Sequence, residues 1–413
     1  MKGFYRGWLQ VIVAFLVQGI SGASIFISYS LVVAPLKLEF QPSNAVLMLG
    51  ITMVSLVSGV ISPVLGKAID QKSIRSLMLV GAISLSLGFL SLSFVTAMTQ
   101  VVIIYAVFMA ASGALLGPLA SAALLARWFN RRRGLAMGLA SSGTAMGGLL
   151  LPPLIQGLID VFEWRMALQI FSLVVFITSV PLIALLVKDQ PEEQDLEIES
   201  PLDTESAEHR PGALQPLTSK QILGDIRFWI LTFAVGSLFA GGVGVTSNMV
   251  QLSATKGVDV TQTALLLSVV AGANFTAKLL WSSIIDRWKP VIALGVMVVV
   301  QLIAMTGFII AQDFTGLVIS ILFYGLSSGG VSVAWSLTLS RIYGAVRLGQ
   351  VMGFMTFTLM PFTMLAPPLI GWSYDVTQSF NYGLIGYSIM LGVVLVCLPK
   401  LRTTSGRSAT AEA

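Results

Sequence analysis

"GLAMGLASSGTAMGGLLLPPLIQGLID" (residues 134–160) and "GQVMGFMTFTLMPFTMLAPPLIGWSYD" (349–375) align on each other without a gap. Gly134/Gly349, Met137/Met352, Gly138/Gly353, Pro152/Pro367, Pro153/Pro368 and Asp160/Asp375 coincide at one offset of 215. A second pair, "GKAIDQKSIR" (66–75) and "SSIIDRWKP" (282–290), matches Asp70 to Asp286. Glycine and proline punctuate many apolar helices, so single matches carry little. An ungapped set at one offset marks an internal repeat. Each long copy is apolar over about 20 residues, the length that crosses a hydrocarbon layer about 30 Å thick.

Composition agrees with that length argument. The chain has 413 residues, of which 55% are hydrophobic and 10% charged. Soluble domains carry about 25% charged residues, so a polytopic membrane protein is expected rather than a soluble enzyme. Apolar stretches recur twelve times, near 8–34, 45–66, 76–97, 100–126, 134–158, 166–187, 228–253, 264–285, 290–311, 315–340, 349–371 and 382–399. The start, "MKGFYRGWLQVIVAFLVQGISG", is basic and then apolar like a signal peptide. Its apolar run continues without a convincing cleavage site and is read as a retained first span. With one cysteine, Cys397, and one histidine, His209, no disulfide framework or Cys/His metal site can be assembled. No cofactor is expected.

Charge fixes the orientation. Twelve spans place both termini on one side, where twenty lysines and arginines fall, against Lys37, Arg165 and Lys256 on the other. The positive-inside rule puts both termini in the cytoplasm, and a bacterial cytoplasmic (inner) membrane is the expected location. "RWFNRRRG" (127–134) is explained as a topology determinant, not a nucleic-acid patch. Residues 188–227 contain "KDQPEEQDLEIESPLDTESAEHRPG", acidic and without apolar periodicity, which predicts a flexible cytoplasmic linker. The expected organisation is a six-helix bundle over 1–187, the linker over 188–227, a second bundle over 228–400 and a tail over 401–413. Six spans separate the repeat copies, so the halves run parallel, as when two bundles rock around a central site.

"GKAIDQKSIR" resembles the signature of the loop between spans 2 and 3 in the major facilitator superfamily, here Gly66, Asp70 and Arg75. Asp286 and Arg287 form the degenerate second copy, with Ser282 in the glycine place. The resemblance implies a major facilitator fold of twelve helices in 6+6 pseudo-two-fold halves. It also implies that Asp70 and Arg75 help lock the cytoplasmic gate. "SYSLVVAPLKLEF" (28–40), residues 127–154 and the pair Trp164–Arg165 are similar to the monocarboxylate-porter and oxalate/formate-antiporter group. In that group an arginine of span 8 grips the substrate carboxylate, preceded in monocarboxylate porters by an aspartate four residues earlier. Lys278 and Asn274 stand at those positions. The second cation known from relatives is absent, with Ser30 near its place in span 1 and Met355 or Thr356 in span 11. This disfavours a dicarboxylate.

Lys278 is the only charged residue well inside any assigned span. It lies eight residues before Asp286, about 12 Å along a helix and near the bilayer midplane. Insertion there costs about 2.5–3.5 kcal/mol, which a ligand anion would offset. Asn274 and Ser282, four residues to either side, make a polar stripe on one helical face. In the superfamily spans 1, 4, 7 and 10 line the cavity, which adds Tyr29, Asn248, Gln251 and Trp335 as candidate substrate contacts. Ser141 and Phe357, from spans 5 and 11, complete the candidates. The paired prolines are expected to kink those spans.

A secondary transporter by alternating access is thus the expected function. Its expected cargo is a small organic anion, a monocarboxylate first, with protons as the candidate coupling ion and a monomer as the working unit. A carrier of neutral or zwitterionic solutes stays open, as does a dicarboxylate/formate-type exchanger. The chain offers no nucleophile–base pair or metal cluster for an enzyme and no Gly-x-x-x-x-Gly-Lys-Ser/Thr loop for nucleotide binding.

Overall fold

The computed structural model describes residues 5–42, 44–192 and 217–402. The described residues are almost wholly helical and contain no strand. In hydrocarbon a helix satisfies its own backbone polar groups, which is why apolar runs of this length take that form. Among the described residues, eleven helices or helix groups are long and apolar enough to cross a membrane. One of them, α7 (Arg133–Leu186), is 54 residues long and breaks at Glu163, where φ is 62°. That break separates the two spans predicted at 134–158 and 166–187, so the chain holds twelve crossings. Two compact units result: Met1–Pro216 with Tyr343–Phe357, and Leu217–Ile342 with Thr358–Ala413.

The first unit contains α1 (Gly7–Phe40), α2 (Asn44–Gln71), α3 (Ile74–Leu92), α4 (Met98–Ile104), α5 (Ala110–Leu116), α6 (Pro118–Trp128) and α7. The predicted span 100–126 is thus three helices rather than one. Residues Tyr105–Met109 form a π-helical turn between α4 and α5. Gly117 is extended before Pro118, because a residue ahead of proline avoids the helical region. The π turn is packed: Ser58 donates to Ala110 O at 2.9 Å, and Tyr105 meets Tyr29 edge-on at 4.8 Å.

Helices α1 and α7 touch backbone to backbone. A Cβ at Gly143 would lie 1.9 Å from Phe15 O, and one at Gly147 would lie 2.1 Å from Gly19 O. Small residues permit this approach, and lipid gives no hydrophobic drive to replace the contact if it is lost.

The second unit runs through α8 (Ser219–Gly224), α9 (Ile226–Ser247), α10 (Met249–Ala254), α11 (Val260–Ile284), α12 (Pro290–Ile310) and α13 (Phe314–Tyr343). It continues with α14 (Leu348–Thr377), whose first turns belong to the first unit, and α15 (Asn381–Cys397). The expected linker over 188–227 is shorter than composition suggested. Residues 219–224 are helical behind a capping box of Thr218 and Gln221, and Asp225 caps α9 by accepting from Arg227 N at 2.9 Å. Its central part, 193–216, and the tail from 403 lie outside the described residues. The span predicted at 228–253 breaks at Asn248, whose Nδ2 donates to Gly244 O at 2.8 Å and to Pro367 O at 3.2 Å.

The chain leaving α7 is fastened back onto the first unit. Trp128 Nε1 donates to Lys188 O at 2.9 Å, and Gln10 Nε2 to Leu186 O at 2.9 Å. Glu192 pairs with Arg6 at 2.8 Å and with Lys188. The Lys188 hydrogen bond and charge, with Arg6 beyond, hold the Glu192 carboxyl below its ordinary range.

Candidate functional site

A polar group of the second unit is built where α11 and α13 cross. "YGLSSGGVS" (324–332) spaces Gly325 and Gly329 four apart, on one face of α13. A Cβ at Gly325 would lie 2.4 Å from Ala273 Cβ, and one at Gly329 would lie 2.5 Å from Asn274 O. The missing side chains let α13 approach α11 at the turn that carries Asn274. Ser328 then reaches across and donates to Asn274 Oδ1 at 2.8 Å. With its oxygen engaged, the Asn274 amide presents its NH2 donors one helical turn before Lys278. Lys278 is half-buried on α11, about 9 Å from the helix end at Ile284.

Ser282 is fully buried but donates to Leu279 O of its own helix at 2.7 Å. The predicted stripe therefore resolves into two groups, Asn274 and Lys278, with Ser328 added from α13. Ser328 was absent from the sequence candidates. The Gly-x-x-x-Gly spacing beside it was the signal, because it names the helix face that packs most closely.

Trp335, seven residues beyond Ser328 on α13, is buried and meets Phe239 of α9 edge-on at 5.8 Å. Its Nε1–H is buried with no acceptor among the described residues. Leaving such a donor unsatisfied costs about 1–3 kcal/mol, so a ligand oxygen reaching it would gain what the empty protein forgoes.

The other candidates are placed differently. Asn248 spends its amide on backbone carbonyls at the α9–α10 break, and Gln251 is exposed on α10. Tyr29 is buried in the first unit, where its ring fills the space a Cβ at Gly50 would need. Ser141 is buried there too and donates to Gly138 O of its own helix at 3.0 Å. Phe357 is exposed on α14.

A second cluster lies at the end of α2, inside the first unit. Asp70 Oδ1 accepts from Gly349 N at 2.9 Å and Oδ2 from Gln350 N at 2.7 Å. These are orphan donors of the first turn of α14, where a carboxylate also gains from the helix dipole. The approach needs glycine on both helices: a Cβ at Gly66 would fall 2.1 Å from Gly349 O, and one at Gly353 would fall 2.2 Å from Ser62 O. Arg127 donates to Ile69 O at 2.7 Å just behind the carboxylate.

Arg75 turns elsewhere. Its backbone N–H donates to Asp189 Oδ1 at 2.9 Å and its guanidinium to Ala184 O. In the other copy of the signature, Asp286 is half-buried and Arg287 exposed just after α11.

Twelve apolar crossings in two six-span repeats, with a polar group between α11 and α13 and a carboxylate-capped helix start, are the architecture of a membrane transporter. The model of the Major Facilitator Superfamily matches residues 14–367 and 252–413, and the chain belongs to that superfamily. Among curated proteins it is similar to human Monocarboxylate transporter 11, 27% identical over 420 residues that cover 97% of this chain and 84% of that one. Mouse Monocarboxylate transporter 12 is 24% identical over 366 residues, covering 81% and 74%. In fold it is similar to the transporter FucP in the outward conformation, with a TM-score of 0.71 at 13% identity, covering 95% of this chain and 98% of that one. The proton:xylose symporter XylE gives a TM-score of 0.71 at 14% identity, covering 96% and 95%.

Proposed function

We propose that the protein carries a small organic monoanion, a monocarboxylate first, by alternating access. The observation that carries this reading is the position of Lys278 inside the apolar helix α11, about 9 Å from its end and one turn from a clamped Asn274 amide. An ammonium and an amide on one helical face supply two donors to a carboxylate. The anion in turn offsets the cost of about 2.5–3.5 kcal/mol for a cation at that depth. The similarity to monocarboxylate transporters supports the same substrate class. The charge asymmetry supports a bacterial cytoplasmic membrane with both termini inside, and the working unit is a monomer.

Coupling follows from the residue types. Asn274 cannot hold a proton, whereas a desolvated lysine, unlike arginine, can release one. In the proposed cycle Lys278 is protonated as the anion enters, and anion and proton cross together without net charge.

Uptake into proteoliposomes from a panel of labelled monocarboxylates, dicarboxylates, sugars and amino acids, with and without a proton gradient, tests the reading. Uptake of a monocarboxylate that stops in Lys278→Ala is the expected result; uptake of sugars or amino acids alone would overturn it. Lys278→Arg should keep anion uptake but lose its pH dependence, and full pH dependence in that variant would remove lysine as the proton carrier.

A further inference from the structure

The repeat offset exposes a difference between the halves. In the first unit Ser86 of α3 and Ser172 of α7 bond each other: Ser86 Oγ donates to Ser172 O at 3.0 Å, and Ser172 Oγ donates to Ser86 O at 2.8 Å. Adding 215 to each number gives Gln301 of α12 and Tyr387 of α15, and these two also bond, Gln301 Nε2 to Tyr387 Oη at 2.8 Å. The larger pair does more than staple its two helices, because it reaches on into α9. Gln301 Nε2 donates to Leu238 O at 3.1 Å, and the Tyr387 hydroxyl donates to Ser237 O.

An α-helical ladder pairs the Gly241 N–H with the same Ser237 O that accepts from the phenol oxygen. A Cβ at Gly241 would fall 2.2 Å from that oxygen, so glycine is what admits the ring. Tyr387 Oη thus donates to Ser237 O and accepts from Gln301 Nε2, two bonds that tie it to the helix turn 237–241. A side chain inserted into the i→i−4 ladder is a recognised cause of helix bending.

This turn is wired to the candidate site by two routes. Phe239 lies between the gripped Leu238 and Gly241, and it packs edge-on against Trp335. On the second route Ser327 Oγ is 2.9 Å from Gln301 Oε1, and the adjacent Ser328 clamps Asn274. Tyr324, one turn before Ser328, places its hydroxyl where a Cβ at Gly242 would be 2.6 Å away.

We propose that Tyr387 and Gln301 are positioning residues for transport: they latch the 237–241 turn of α9 and so set how Trp335 and Asn274 are presented. In the first half the serines at the equivalent places bond each other, and among the described residues neither is given a bond to α1. Their role in transport rests on the function proposed above; the latch itself does not.

The test uses the full-length protein, as wild type, Tyr387→Phe, Gln301→Leu and the double variant, with Ser86→Ala/Ser172→Ala as the repeat-equivalent control. Hydrogen exchange read by mass spectrometry should rise about threefold or more in the 237–247 segment for either single variant. The double variant should exchange no faster than the singles, because one unit is being removed. Exchange in α12 and α15 should stay unchanged, and the serine control should leave α1 and α9 unchanged.

In proteoliposomes loaded with labelled pyruvate, Tyr387→Phe should lower the maximal rate by about threefold or more while KM stays within about twofold. Unchanged exchange in 237–247, or an equal rise across α12 and α15, would overturn the latch. A wild-type protein that moves no pyruvate or other monocarboxylate would overturn the transport reading instead, with the exchange data still deciding the latch.

Discussion

Asn274 and Asn248 are the same residue type in neighbouring helices, and packing gives them different tasks. Asn248 ends α9 and turns its amide onto two carbonyls, one of its own helix and one of α14. Asn274 lies inside a continuous helix, where the ladder leaves no carbonyl open, and its oxygen is taken by Ser328. The amide NH2 is left uncommitted by that bond, one helical turn before Lys278 in the chain. Trp335 shows the same economy from the donor side. If its buried N–H serves the ligand, Trp335→Phe should leave the thermal midpoint of the empty protein unchanged or slightly higher. The same substitution should raise KM for the transported anion by about fivefold or more, the loss of one hydrogen bond. Thermal unfolding with and without saturating substrate separates the two effects.

At the scale of helices, glycine pairs decide which elements meet. The α1–α7 contact rests on Gly19, Gly143 and Gly147, and a methyl group at Gly143 meets the Phe15 carbonyl. Gly157, on the same long helix, has nothing within 4 Å of its would-be Cβ. Gly143→Ala should therefore lower the thermal midpoint in detergent by several degrees, for a cost of about 1–3 kcal/mol. Gly157→Ala should leave it within about a degree, since an exposed helical site gains from alanine. A thermal-shift series checks both.

The repeat carries a lesson here as well. Phe362 occupies the position of Gly147 at offset 215, and it packs onto Gly236 where the first half has bare backbone contact. The halves share a fold yet differ in how closely their equivalent helices meet.

For the whole molecule, the cations flanking the apolar runs argue that both termini face the cytoplasm. Reporter domains fused at residue 1 and at residue 413 should both be active only in the cytoplasmic compartment. A fusion exported at either end would break the twelve-span count or its orientation.

Hydropathy over about 20 residues was enough to specify a polytopic helical protein, because hydrocarbon forbids any other backbone arrangement for such runs. The ungapped match of 134–160 to 349–375 gave the six-plus-six division, and the unusual cost of a mid-span cation singled out Lys278. None of that reasoning reached Ser328, the α9–α10 break at Asn248, the π turn at Tyr105–Met109, or the turning of Arg75 toward Asp189. These depend on which atoms lie across from a residue on another helix. A serine, a glycine or an amide has the same local propensity whether it faces lipid, its own backbone or a partner side chain. Only tertiary packing, through close approaches such as Gly329 on Asn274 and Gly66 on Gly349, decided which of the polar groups in these helices met across a helix crossing and which turned onto their own backbone.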